Sequence, residues 1–289
     1  MNNSIYLSRI VTCYRQWTLI ERWIGHTALH QQDVEWIVVN DDPKDPPTKY
    51  CREQFQKRAI RVLTAPYNLG RSNARNWAAG EANGKWIDFV DGDDFPLVVD
   101  HSFFSKTDAS LLAFPVVGFT DRDKPEPTCI PKIKLPWTAK MMLQKELFPG
   151  FIPIDYRPCG TIWKKKDFLN IGGFDARFDD ACEDCQLVWK AYTHKFKIAR
   201  ADRPKQLYYQ DNDSGNSSRL SAASMYSLFR LFHQHGDQNL RNFFYEQQVE
   251  CLKQVRWQAF GLLHRRKKIT NIYRIKEIIK ILLSLFRQR

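Results

Sequence analysis

The sequence predicts an α/β fold: a mostly parallel central sheet flanked by helices, with a helical extension at the carboxyl end. Three observations predict it. Short apolar runs alternate with helical patterns over the first 95 residues, carboxylates cluster where the fourth run ends, and the chain beyond residue 220 is helical in pattern and strongly basic. Alternating β and α patterns mark β-α-β units, whose strands pair in parallel.

Ile5 to Tyr14 reads as the first strand. A helix follows with Trp17, Ile20, Trp23 and Ile24 at three- and four-residue spacing, one apolar stripe to bury. Val34-Glu35-Trp36-Ile37-Val38-Val39, apolar but for Glu35, reads as a buried strand, and it stops at Asn40-Asp41-Asp42-Pro43. Arg52 to Lys57 suits a helix, Ile60 to Leu63 a third strand, and Arg71 to Ala82 a helix closed by Asn83-Gly84. Trp86 to Val90 is the fourth strand and runs into Asp91-Gly92-Asp93-Asp94.

Nine of the 14 prolines then fall between Phe95 and Pro158, which predicts loops with short strands. Regular structure is expected again at Gly160 to Trp163, in a short helix over Lys166 to Ile171, a turn at Gly172-Gly173-Phe174-Asp175 and a helix from Asp184 to Thr193. The organisation expected is a main body over residues 1–220, with halves at 1–95 and 96–220, and an extension over 221–289.

Charge and cysteine content narrow the function classes. From Leu240 to Arg289 there are 12 Lys and Arg against three Glu, so +9 of the net +12 sits in the tail. The body is then close to neutral, and nucleic acid is not expected as its partner. Seven scattered cysteines, an odd number, suit reduced thiols and a cytoplasmic working place, and Cys182 and Cys185 lack the second pair that a zinc site needs. No apolar run reaches the roughly 20 residues that cross a bilayer.

Three carboxylates within four residues repel one another unless water or a cation relieves them. A hard divalent cation suits such a cluster, held through one or two carboxylates and the oxygens of a phosphate. The position suits it too, because ligands of open α/β sheets bind outside the carboxyl ends of the strands. Asp-Gly is also ordinary turn chemistry, and it is the company of the cluster that decides. Upstream, Asn68-Leu69-Gly70-Arg71-Ser72-Asn73-Ala74-Arg75-Asn76 opens a helix with two arginines, and helix amino termini and guanidinium groups both suit phosphate.

The successive segments Ile10-Val11-Thr12-Cys13-Tyr14-Arg15, Ile37 to Asp42, Asn68-Leu69-Gly70 with Ala74-Arg75-Asn76, and Asp91-Gly92-Asp93-Asp94 resemble, in order and spacing, the motifs of family 2 glycosyltransferases of the GT-A fold. The resemblance implies an inverting transferase dependent on a nucleoside-diphosphate sugar, UDP-linked by family default. It implies that Thr12 and Asp41 or Asp42 touch base and ribose, Arg71 or Arg75 the nucleotide side, and Asp91, Gly92 and Asp93 the sugar nucleotide. Asp91 and Asp93 would hold the metal, Mn²⁺ or Mg²⁺. Val11-Thr12-Cys13 departs from the usual Pro-Thr-Tyr, and Pro43-Lys44 replaces the common Gly-Ser.

Sugar transfer to a hydroxyl also needs a base set apart from the metal. Gly172-Gly173-Phe174-Asp175 followed by Glu183-Asp184 resembles the family's turn and acidic pair, and implies Asp184 as base with Glu183 as neighbour or alternative. Acidic residues at a helix start also simply complement its dipole. Where the family has a His, the segment Leu207 to Ser217 offers only Asp211 or Asn212. Trp137, Tyr156, Arg157 and Trp163 lie between the acidic motifs and are expected to touch the acceptor, since aromatic faces stack on sugar rings.

Ile272 to Phe286 forms an amphipathic helix on a wheel, preceded by Arg265-Arg266-Lys267-Lys268. It suits an anionic membrane surface, and equally a helix packed on the body. The expected function is sugar transfer to a glycan or lipid-linked glycan in bacterial surface polysaccharide or lipopolysaccharide synthesis. The alternatives are a nucleotidyltransferase of the same fold and a non-enzymatic membrane- or nucleic-acid-binding module.

Overall fold

The computed structural model describes residues 5–25, 31, 33–100, 104, 106–119, 160–178 and 183–209. All lie in one compact unit of residues 1–179 and 183–212. Of the sequence expectations, Trp137, Tyr156, Arg157, the segment from Gln210 onward and the whole 221–289 extension lie outside the described residues.

The first strand, β1 (Leu7–Cys13), is followed by helix α1 (Trp17–Ile24), strand β2 (Val34–Asn40), helix α2 (Lys49–Lys57), strand β3 (Arg61–Thr64), helix α3 (Arg71–Glu81) and strand β4 (Trp86–Asp91). Each sits within a few residues of its expected place. In α1 the four residues of the apolar stripe are the four that are buried, so one face drives the helix onto the sheet. Helix α2 starts earlier than expected because Thr48 caps it, its side chain accepting from the Cys51 N–H.

Short strands follow: β5 (Phe95–Pro96), β6 (Leu111–Ala113), β7 (Val117–Phe119) and β8 (Thr161–Lys164). After β8 come helix α4 (Lys165–Asn170), a 3₁₀ turn (Ala176–Phe178), helix α5 (Glu183–Thr193), and strands β9 (Ile198–Arg200) and β10 (Gln206–Tyr209). The main sheet has the order β3-β2-β1-β4-β8-β6-β9, and β5-β10-β7 form a second, three-stranded sheet.

The first four strands pair in parallel, while β8 runs antiparallel to both β4 and β6. The sheet is therefore mixed on one side of β4 and purely parallel on the other. The parallel crossovers from β1 to β2 and from β2 to β3 carry α1 and α2, the usual form of a parallel connection.

Side chains alternate across the sheet. On one face Val11, Val90, Trp36 and Val38 pack with Trp17, Ile20, Trp23 and Ile24 of α1 and with Cys51 and Phe55 of α2. On the other, Phe89 meets Phe168 of α4 at 5.3 Å and Phe174 at 5.0 Å between ring centroids. Asp91, two residues from Phe89, belongs to this second face. Register completes the arrangement, placing Thr12 between Val39 and Asp91, and Cys13 beside Asn40. The carboxyl ends of β1, β2 and β4 thus finish level with one another.

Candidate active site

Asp91 to Asp94 form a turn in which Asp91, Gly92 and Asp94 are bonded to other elements. Arg75, from α3, donates from Nη2 to Asp91 Oδ1 at 2.6 Å. Trp23, from α1, donates from Nε1 to the Gly92 carbonyl at 3.2 Å. Asp94 accepts from Gln206 Nε2 at 2.7 Å and from the Tyr209 N–H at 3.0 Å, which binds the turn to β10. Asp93 is the exposed member and borders a shallow depression with Leu19, Arg22, Trp23 and Phe119.

The three carboxylates therefore differ in kind. Asp94 is 1% exposed, and burial, with Asp91 and Asp93 close by, pushes its carboxyl well above the usual range. Both its oxygens already accept hydrogen bonds from the protein. Asp91 has a side chain 33% exposed, and Asp93 is exposed. Among the described residues no three His, Cys, Asp or Glu side chains are grouped to hold a metal by themselves. Two oxygen-donor residues fit Mg²⁺ or Mn²⁺ only when a ligand such as a diphosphate completes the coordination.

Helix α3 carries the second part of the site. Gly70, at φ 79°, turns the chain into it, a conformation that glycine adopts without strain. Asp41 holds the approach, accepting from the Leu69 N–H at 2.7 Å and the Gly70 N–H at 3.1 Å. Asp42 accepts from Arg15 Nε at 2.6 Å and from the Lys44 N–H at 3.0 Å, and these bonds hold its carboxyl below the usual range. Arg15 is exposed and has φ 56°, rare for a residue with a side chain. Thr12 is half-buried at the end of β1.

One turn into α3, Arg75 is 2% exposed, with its guanidinium 5.1 Å from the centroid of the Phe174 ring. Its second partner is Glu183, which accepts from Nη1 at 3.1 Å. Burial works against the charge on Arg75, but Asp91 and Glu183 outweigh it and raise its pKa. Arg71, 48% exposed, meets the same Glu183 oxygen through Nε at 3.2 Å. Glu183 is thus buried under two guanidinium groups, while the adjoining Asp184 is half-buried.

The Gly172 to Asp175 turn is fixed from both sides. Asn76 of α3 donates to the Phe174 carbonyl at 2.8 Å and accepts the Phe174 N–H at 2.9 Å, and Lys190 of α5 donates to the Gly173 carbonyl at 2.8 Å. Gly173 has φ 59°, and a Cβ there would stand 2.3 Å from Asn76 Oδ1. The turn carries Phe174 and so sets the wall against which Arg75 lies.

The sequence therefore led to residues that the fold does gather: Thr12, Asp41, Asp42, Arg71, Arg75, Asp91, Gly92 and Asp93 at the strand ends, with Glu183 joined to them. Arg75 differs from its expected place on the nucleotide, because its donors face two carboxylates of the protein. Trp163 differs too. It is 1% exposed in β8, donates to Thr161 Oγ1 at 3.3 Å and packs on Phe168, so it is a core residue with no face open to an acceptor. Sequence reading missed Trp23, Asn76, Lys190 and Gln206 as supports. Asn76 stood in the Ala74-Arg75-Asn76 motif without a role, and Trp23 stood in the α1 stripe, a signal that pointed to the core.

Residues 8–98 match the Glycosyl transferase family 2 model. They form a family 2 glycosyltransferase domain. The matched span runs from β1 to β4 and takes in the Asp91 to Asp94 turn. The chain is 26% identical over 238 residues to the minor teichoic acid biosynthesis protein GgaB of Bacillus subtilis, covering 79% of this chain and 24% of that protein. It is 35% identical over 69 residues to the UDP-Glc:alpha-D-GlcNAc-diphosphoundecaprenol beta-1,3-glucosyltransferase WfgD of Escherichia coli, covering 24% of this chain and 27% of the other. The chain thus spans about a quarter of the length of the curated relatives it matches.

Among solved structures, this chain resembles S. aureus TarS 1-349 in complex with UDP-GlcNAc, with a TM-score of 0.54 and 16% identity over 98% of this chain and 81% of that one. It also resembles the mannosyltransferase PcManGT of Pyrobaculum calidifontis in complex with GDP-Man and Mn²⁺, with a TM-score of 0.51 and 12% identity over 98% and 87%. At such identities the likeness is one of fold, and the fold is GT-A. No helix among the described residues is long and apolar enough to cross a membrane.

Proposed function

We propose that this glycosyltransferase moves a sugar from a nucleoside-diphosphate donor, a UDP-sugar, to a hydroxyl of a glycan or lipid-linked glycan, with inversion at the anomeric carbon. The observation that carries the reading is the meeting, through Arg75, of the Asp91 to Asp94 turn and the Glu183-Asp184 helix start. A donor site and a base for the acceptor are the two things the reaction needs near each other.

Asp91 and Asp93 would hold a divalent cation, Mn²⁺ or Mg²⁺, whose contribution is to neutralise charge on the departing diphosphate. Thr12, Asp42 and Arg71 border the end of the sheet where the nucleotide would lie. Asp184 takes the proton from the acceptor hydroxyl as its oxygen bonds to the anomeric carbon, and the bond from that carbon to the diphosphate oxygen breaks. Glu183, already bonded to two guanidinium groups, is its neighbour in this reading. Residues 1–220 form the catalytic unit in this reading. The basic 221–289 extension lies against the anionic cytoplasmic face of a membrane, where lipid-linked acceptors are presented.

The test supplies purified protein with UDP-sugars, Mn²⁺ and polyprenyl-diphosphate-linked glycans and measures released nucleoside diphosphate. Asp93→Ala and Asp184→Asn should each lower transfer by at least about 100-fold while the fold is kept. Substantial turnover in both variants would overturn the reading, and release of pyrophosphate instead would point to nucleotidyl transfer.

A further inference from the structure

We propose that Arg75 is a positioning residue that couples the acceptor-side carboxylate Glu183 to the cation site at Asp91, so that a change at Glu183 is felt in metal binding. The inference rests on the donor-site reading above.

Arg75 has one positive charge and two anionic partners, Asp91 at 2.6 Å and Glu183 at 3.1 Å. Its side chain is 2% exposed, and the Phe174 ring lies 5.1 Å from it, so water offers little competition and the guanidinium has little freedom to turn away. Charges interact strongly in such a place because screening is weak. The Phe174 wall is itself fixed by Asn76 and Lys190, which leaves the position of the guanidinium determined by the two carboxylates.

A cation bound at Asp91 and Arg75 compete for the same carboxylate. Glu183 moderates that competition, because it draws on the guanidinium from the other side. Neutralising Glu183 leaves Asp91 as the one carboxylate bonded to Arg75, which weakens the hold of Asp91 on a metal. Neutralising Arg75 removes the competitor and strengthens it. The two substitutions act in opposite directions, and the effect of the first requires the second residue to be present.

The arrangement also has a use. A helix α5 displaced from its place withdraws Glu183 from Arg75, and Asp91 then holds its cation less well. Donor binding thereby becomes sensitive to the state of the helix that carries Asp184.

The experiment measures Mn²⁺ binding in the presence of UDP by the paramagnetic resonance signal of free Mn²⁺, with circular dichroism to confirm folding. Glu183→Gln should weaken Mn²⁺ binding at least about fivefold, the low end of typical coupling between sites. Arg75→Gln should strengthen it, and the double variant should match Arg75→Gln. A role confined to holding the fold would weaken binding in both single variants. Unchanged or tighter Mn²⁺ binding in folded Glu183→Gln overturns the coupling, and so does weaker binding in folded Arg75→Gln, so either variant decides alone. A wild-type protein that takes up no Mn²⁺ with UDP overturns the donor-site reading itself, a result distinct from a wild type that binds and variants that do not differ.

Discussion

Arg75 Nη2 lies 2.6 Å from Asp91 Oδ1, a charge-assisted hydrogen bond made from a buried guanidinium at the end of the sheet. Its other arm reaches Glu183, so removing the side chain leaves a carboxylate that is 6% exposed with only the half-exposed Arg71 as its guanidinium partner. Breaking a buried ion pair from one side costs about 3–5 kcal/mol, far more than the pair itself contributes. Arg75→Ala is therefore expected to lower unfolding free energy by about 3 kcal/mol, and Arg75→Lys by less, because one ammonium keeps the charge but lacks the fork that spans two partners. Urea unfolding checks both, and a loss below about 1 kcal/mol for Arg75→Ala would contradict the role given to Glu183 burial.

Neighbouring carboxylates in the turn should respond to the same substitution in opposite ways. Asp93 is exposed, so Asp93→Ala should leave the unfolding midpoint close to wild type while abolishing Mn²⁺-dependent protection by UDP. Asp94 is buried and accepts from Gln206 and the Tyr209 N–H. Asp94→Ala leaves both donors without partners, at about 1–3 kcal/mol each. Thermal scans with and without UDP and Mn²⁺ separate the two outcomes, and a stable Asp94→Ala protein would show that the β10 tether is dispensable.

What could be read from the sequence was what is periodic or local. The stripe of Trp17, Ile20, Trp23 and Ile24 announces its helix because burial repeats every turn, and the run from Val34 to Val39 announces a covered strand. The Asp91-Gly92-Asp93-Asp94 turn was visible because its charges are adjacent. Partnerships across the chain left no such mark. Arg75 and Glu183 are 108 residues apart, and nothing local to either shows that one guanidinium serves two motifs. Strand β8 enters the sheet antiparallel beside β4, and four residues are too few for a period that would reveal direction. Trp163 failed as an acceptor contact because aromatic residues serve cores and sugar sites alike.

A second buried ionic group makes the next prediction. Asp88 accepts from Arg9 Nε at 2.8 Å and is bonded to Lys205 Nζ, and all three side chains are fully buried. Lys205 also donates to Gln206 Oε1 at 3.0 Å, and Gln206 holds Asp94, so the group connects β1 and β4 to the candidate site. Lys205→Met keeps the length and removes the charge, leaving Asp88 with one cation of its two. The expected loss is about 3–5 kcal/mol. Adding Asp88→Asn should deepen the loss, because Arg9 is then a buried cation with no carboxylate partner. A double variant that simply adds the two single losses would show that the groups are not coupled.

Glu35 sets a dependence on pH that is separate from the candidate site. It lies in β2, and burial alone would raise its carboxyl pKa. The Asn83 N–H at 2.8 Å, Ser8 Oγ at 2.6 Å, Arg61 Nη1 at 2.5 Å and Asn83 Nδ2 at 2.7 Å outweigh burial and hold it below the usual range. A carboxyl with a lower pKa in the folded than in the unfolded chain binds fewer protons when folded. Its contribution is complete above the unfolded value of about 4.3 and is lost as pH falls through the lower folded value. Glu35→Gln removes the charge at every pH. The difference in unfolding free energy between wild type and Glu35→Gln should therefore be largest and flat from about pH 6 to 8 and shrink below about pH 4. Urea unfolding of both proteins across that range measures it. A difference that grows on acidification would reverse the sign assigned to Glu35 and exclude the four donors as the cause.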